Sequence, residues 1–182
     1  MIITISGVPG SGKTSVAKLI AQKLGLNFYS VGGLRGKMAL ERGLTINELN
    51  ALGEKDKTTD TIVDDYQREL GEKEDDFVIE GRLSWHFIPR SFKVFLGCAP
   101  DEAARRVQAS REERPDEKIP SDPAAVRAEL DARTASDKRR YQEFYGVDYL
   151  DPSHYDLIVD TTNLKSAEET AEKILAALPV KI

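Results

Sequence analysis

The chain has 182 residues, 40% of them apolar and 31% charged, which suits one compact unit with its own core. Thirty-one acidic side chains against 26 basic ones give a formal net charge of −5, which excludes a chain whose main business is coating nucleic acid or an anionic membrane. One cysteine, Cys98, cannot form an internal disulfide and two histidines add too little for a soft-ligand zinc site, while no apolar run approaches the ~18 residues that span a bilayer and no secretory leader pattern opens the chain, so a cytoplasmic protein is expected.

Met1 to Ser6 is a β-branched run without alternation, the pattern of a strand buried on both faces of a parallel sheet. A helix follows from Lys13, with Val16, Ala17, Leu19, Ile20, Ala21 and Leu24 at helical spacing and Gly25 where a left-handed cap belongs. Short apolar runs at Phe28-Tyr29, Phe77 to Ile79, Val94 to Leu96 and Leu157 to Val159 predict four further strands. Helical patterns near Leu34 to Arg42, Ile46 to Gly71, Asp101 to Arg111, Pro123 to Tyr145 and Ala167 to Leu178 lie between them. This alternation predicts an α/β fold with a mostly parallel sheet, whose ligands sit at the carboxyl ends of the strands. The long polar stretches after the second and fourth strands read as helical insertions over one sheet edge. Within the second, the charged run Glu112 to Pro120 reads as a mobile loop.

Gly7-Val8-Pro9-Gly10-Ser11-Gly12-Lys13-Thr14 matches the phosphate-loop pattern of Gly, four variable residues, Gly, Lys and Ser or Thr. Glycines let successive N–H groups turn inward on an anion, and the helix that follows adds its positive end. Lys13 then reaches the β- and γ-phosphates of a nucleoside triphosphate, and the Thr14 hydroxyl is placed to ligate Mg²⁺. A guanine-nucleotide switch is disfavoured, because no Asp has Gly three places on and none of the four Asn is followed by Lys.

A phosphoryl acceptor that is itself charged needs cations at the same strand ends. Glu80-Gly81-Arg82 follows the third strand, and Ser30 to Arg35 forms a turn opening a helix after the second. The planar fork of Arg35 and Arg82 suits an acceptor phosphate. Asp56, Asp60, Asp64 and Gln67 share one helical face, which either presents acceptors to a nucleobase or is simply solvated. The charged insertion carries Arg111 and Arg114, then Arg133, Asp137 and Arg140 on one helical face. An Arg-bearing lid would place positive charge over the migrating group and exclude water. His86 and His154 read as packing or surface residues, Cys98 as a small apolar one, and Trp85 as core or base-stacking.

The phosphate loop, Ser30 to Arg35, Glu80-Gly81-Arg82-Leu83, Arg133 to Tyr141 with Tyr145 to Asp148, and the closing Tyr155 to Thr161 together resemble the short cytidylate kinases of the archaeal type, within the phosphate-loop nucleoside monophosphate kinases. The resemblance spans nearly the whole chain and departs from the family pattern at Gly33 and at Trp85-His86, both on the acceptor side. It implies transfer of phosphate from ATP, with Mg²⁺, to CMP or dCMP by a monomer acting on small nucleotides. It also implies a core of residues 1–31, 75–110 and 155–182, a monophosphate-binding insertion at 32–74 and a lid at 111–154. By position, Gly7 to Ser15 would hold ATP, Arg35 and Arg82 the acceptor phosphate, and Arg133 and Arg140 the transferring phosphoryl. The residues leave two alternatives open. One is a kinase of AMP, UMP or a hydroxyl acceptor such as shikimate, a sugar acid or a coenzyme precursor, with Glu80 as general base in the hydroxyl case. The other is a nucleotide-binding module without turnover.

Overall fold

A computed structural model describes residues 1–53, 58–113 and 118–179. Five parallel strands form one sheet in the order β2 (Asn27–Ser30), β3 (Phe77–Glu80), β1 (Ile2–Gly7), β4 (Phe92–Gly97) and β5 (Leu157–Asp160). Every residue of β1 is buried, as its unalternating apolar sequence requires of a central strand. Successive side chains point to opposite faces. Ile3 and Ile5 meet α1 (Lys13–Leu24) and α8 (Ala167–Ala177) in a cluster with Val16, Ile20, Val94 and Ile174. Ile2 faces the other way, into a cluster with Phe77, Ile79, Trp85, Tyr141 and Tyr149. All five expected strands are present.

The helices differ from expectation in two places. The span read as one helix from Ile46 to Gly71 holds two among the described residues, α3 (Ile46–Gly53) and α4 (Thr58–Lys73). A short α5 (Ser84–Phe87), too brief to show a period, follows β3. In α2 (Val31–Glu41) the first turn is capped by Ser30, whose hydroxyl accepts the Gly33 N–H at 2.9 Å. The longest helix among the described residues, α7 (Pro123–Tyr145), starts on the Asp122 cap with Pro123 in its first turn and stops at Gly146, whose φ of 69° is left-handed. Near its start Val126 and Leu130 pack on Ala103, Ala104 and Val107 of α6 (Pro100–Ala109), and near its end Tyr141 joins the β1–β3 core. That reach brings α7 across the carboxyl ends of the strands. No helix among the described residues is long and apolar enough to cross a membrane. Asp56 and Arg114, singled out above, lie outside the described residues, as does the middle of the charged run from Glu112 to Pro120.

Candidate active site

The chain adds β2 and β3 on one side of β1 and then crosses to add β4 and β5 on the other, and such a reversal of strand order is where an open α/β sheet receives its ligand. The loop from Gly7 to Ser15 lies there. It is drawn in on the Val8 carbonyl, which accepts the Ser11 N–H at 3.3 Å, the Ser11 hydroxyl at 2.9 Å and the Lys13 ammonium at 2.7 Å. Gly10 has φ 76°, and a Cβ there would sit 2.6 Å from the Ala103 carbonyl, so only glycine lets the loop lie against α6. Helix α1 starts at Gly12 without a side-chain cap, so no side chain competes with an anion for its first N–H groups.

A cavity of about 440 Å³ opens from this loop toward α7, lined among others by Lys13, Thr14, Ser30, Glu80, Arg82 and Arg133. Glu80, 4% exposed, receives the Ser30 hydroxyl and stands 3.4 Å from the Thr14 hydroxyl. Gly81 is obligatory for this packing, since a Cβ would come within 2.5 Å of Ser84 Oγ and 2.8 Å of Val31 Cγ2. The next residue, Arg82, is fixed at its backbone by Ser6 Oγ and Trp85 Nε1, which donate to its carbonyl at 2.9 and 3.0 Å. Trp85 is therefore core, stacked on His154 at 4.3 Å between ring centres. His86 packs beside it, with burial first and then the Arg68 and His154 charges holding its imidazole below the ordinary value.

Behind the cavity runs a chain of alternating charges. Arg35 of α2 pairs with Asp60 of α4, Asp60 with Arg140 of α7 at 3.0 Å, Arg140 with Asp137 at 2.9 Å, and Asp137 with Arg82 at 2.7 Å. Asn50 of α3 joins from the side, accepting Arg35 on Oδ1 at 2.9 Å and Arg140 on its carbonyl at 3.3 Å. Asp137 is 1% exposed and Arg140 3%. Three guanidinium groups against two carboxylates leave one positive charge in excess, with the Arg82 end bordering the cavity.

This arrangement distributes the sequence-predicted residues unequally. Gly10, Gly12, Lys13, Thr14, Ser15, Ser30, Glu80, Arg82 and Arg133 converge on the cavity. Arg35, Asp60 and Arg140 stand behind it as links of the charge chain. The acidic face of α4 is not solvated. Asp60, Asp64 and Gln67 are all buried; Tyr145 donates to Asp64, and Gln67 accepts the Ser84 hydroxyl at 2.7 Å. Arg111 is exposed beyond α6, at a recess shared with Arg105 and Gln108, and does not itself line the main cavity, which its neighbour Ser110 borders. Unforeseen from sequence was a second recess of about 190 Å³ on the other side of the loop, bordered by Ser11, Ser15, Arg105, Leu164 and Lys165.

Burial is the main force on Asp64, raising its carboxyl from 3.8 to about 6 against the opposing Tyr145 hydrogen bond. The folded state thus keeps a proton that the unfolded chain releases near pH 4, and this group's stabilising contribution is full below that pH and lost as pH rises through about 6. Asp64→Asn is expected to flatten that part of the profile, measured as urea midpoints between pH 4 and 7. Parallel profiles for the two proteins would remove Asp64 as the source.

Comparison with known proteins agrees with this geometry. The model of the Cytidylate kinase-like family matches residues 2–163. A cytidylate kinase of Archaeoglobus fulgidus is 39% identical over 182 residues, covering 100% of this chain and 96% of that one. A second, from Methanocella arvoryzae, is 39% identical over 162 residues, covering 89% and 88%. Among solved structures, the shikimate kinase of Bacteroides thetaiotaomicron superposes with a TM-score of 0.67 at 19% identity, covering 98% of this chain and 99% of that one, a likeness of fold alone. With a matching model over nearly the whole length, full-length relatives and a phosphate loop facing a cluster of arginines, the chain belongs to the cytidylate kinase-like family.

Proposed function

We propose that the chain transfers the γ-phosphoryl group of ATP to CMP or dCMP, giving ADP and the nucleoside diphosphate. The observation that carries this reading is the cavity itself, lined by the phosphate loop together with Arg82 and Arg133. Two phosphate-bearing molecules meeting there would present their anionic groups to one another between fixed cations. Phosphoryl transfer asks chiefly for such positioning and charge stabilisation. Lys13 and Arg133 flank the migrating group, and Arg82 holds the acceptor phosphate, backed by Asp137, Arg140, Asp60 and Arg35. No general base is needed, because the attacking phosphate oxygen is already an anion. The recess beyond the loop takes the nucleoside part of the donor, since it shares Ser11, Gly12 and Ser15 with the phosphate cradle.

Mg²⁺ fits the oxygen donors at this place. The Thr14 hydroxyl stands 3.4 Å from the Glu80 carboxylate, two oxygen groups of the kind that Mg²⁺ takes beside nucleotide phosphates. Bound there, it would neutralise charge on the phosphate oxygens.

The test is ADP release from ATP and Mg²⁺ across CMP, dCMP, UMP, AMP and shikimate. Turnover with CMP or dCMP is expected, and none with any nucleoside monophosphate would sink the reading. Arg82→Ala is expected to raise the acceptor's KM roughly tenfold or more, the worth of a hydrogen bond to a charged group, with the KM for ATP little changed. An unchanged acceptor KM would take Arg82 out of that pocket.

A further inference from the structure

Thr161 lies just past β5, is 1% exposed and borders none of the cavities described above. Its hydroxyl lies 3.3 Å from the Ser11 carbonyl, inside the phosphate loop, and 2.9 Å from the Gly97 carbonyl. The Gly97 carbonyl already accepts the Thr161 N–H at 2.9 Å. On its other side the same hydroxyl oxygen accepts a hydrogen bond from Arg106 at 3.1 Å. A hydroxyl whose oxygen is already engaged by a cationic donor turns its single proton to the side of these carbonyls, where Gly97 at 2.9 Å and Ser11 at 3.3 Å share it. Arg106 also donates to the backbone carbonyls of Thr161, Thr162 and Leu164 at 2.8, 3.4 and 3.4 Å and is itself held by Glu102 at 2.7 Å, so the turn carrying Thr161 is clamped to α6.

The consequence lies in one peptide plane. In a trans peptide the C=O and the following N–H point in opposite directions, and there are no cis bonds among the described residues. A donor that holds the Ser11 carbonyl toward β5 turns the Gly12 N–H the other way, away from β5, at a residue that borders both the main cavity and the second recess. We infer that Thr161 is a positioning residue for donor binding, orienting the Gly12 N–H of the phosphate loop through the Ser11 carbonyl, with Arg106 aiming its hydroxyl. This rests on the reading that Gly7 to Ser15 holds the donor's phosphates.

The experiment compares the full chain with Thr161→Val, which keeps the shape and removes the hydroxyl, and Thr161→Ser, which keeps the hydroxyl. Calorimetric ATP affinity and steady-state constants with CMP are measured for all three. Thr161→Val is expected to weaken ATP binding roughly threefold to tenfold, the worth of one hydrogen bond, with the CMP KM within twofold and Thr161→Ser close to the unsubstituted chain. Should Thr161→Val fail to fold, Thr161→Ala removes the same hydroxyl without putting a methyl group against the carbonyls. Equal ATP affinity with and without the hydroxyl overturns the role, as does an equal loss for ATP and CMP or a loss in Thr161→Ser as large as in Thr161→Val. Absence of ATP binding by the unsubstituted chain would overturn this inference together with the reading on which it rests.

Discussion

Lys13→Ala is expected to lower kcat by two to three orders of magnitude, the effect of removing one preorganised donor from the place where charge develops. The ammonium donates to the Val8 carbonyl at 2.7 Å, which holds it over the loop. Its loss leaves the backbone N–H groups of the loop and the start of α1 in place. The affinity for ATP therefore falls much less than the turnover, because those groups bind the ground state as well as the transition state. Steady-state kinetics with ATP and CMP, paired with calorimetric ATP binding, check this. A kcat within tenfold of the unsubstituted chain, or an ATP affinity that falls as far as kcat, would contradict the assigned role.

The second large effect is on stability. Asp137 stands between Arg140 and Arg82, at 2.9 and 2.7 Å, with almost no exposure. Asp137→Ala leaves two buried guanidinium groups facing one another across the vacated place. Breaking a buried pair in this way costs about 3–5 kcal/mol, because the desolvated partner loses its compensation. For a chain of this length that is a fall of roughly 10 °C in melting temperature. Adding Arg140→Met to Asp137→Ala removes one of the two guanidinium groups left facing each other and is expected to recover part of the loss, a non-additivity that chemical denaturation of the two single variants and the double variant would measure. Simple additive losses would show that charge balance is not what holds these residues.

The sheet and the phosphate loop were legible in sequence because both are written locally. A buried strand is an apolar run, and the loop is eight consecutive residues whose backbone geometry depends on its own glycines. The acidic stripe on α4 was visible as a stripe, yet its partners were not. Asp60 meets residues 35 and 140, Asp64 meets residue 145, and Gln67 meets residue 84, pairings set by how α2, α5 and α7 close over α4. Helical spacing reports which residues share a face and says nothing of what that face will touch. Arg140 illustrates the same limit, since its spacing from Arg133 placed both on one lid face, whereas the fold sends Arg133 to the cavity and Arg140 into the charge chain behind it. Thr161 was part of a recognisable closing motif, but only the return of β5 beside β4 sets its hydroxyl against Ser11.

The chain of alternating charges also has a meaning in time. Asp137 and Arg140 are neighbours on α7, but every other link joins distant positions, 35 with 60, 60 with 140 and 82 with 137, so the chain cannot be completed until those parts of the polypeptide have been brought together, and the entropy of closing those long loops is lost before those pairings reward it. The phosphate loop, by contrast, is enclosed between β1 and α1 and its bonds to the Val8 carbonyl are all local, while its packing on α6 and its tie to Thr161 wait for later parts of the chain. During folding the turn of the phosphate loop can begin as a local event, whereas the acceptor side is completed only when the whole topology is.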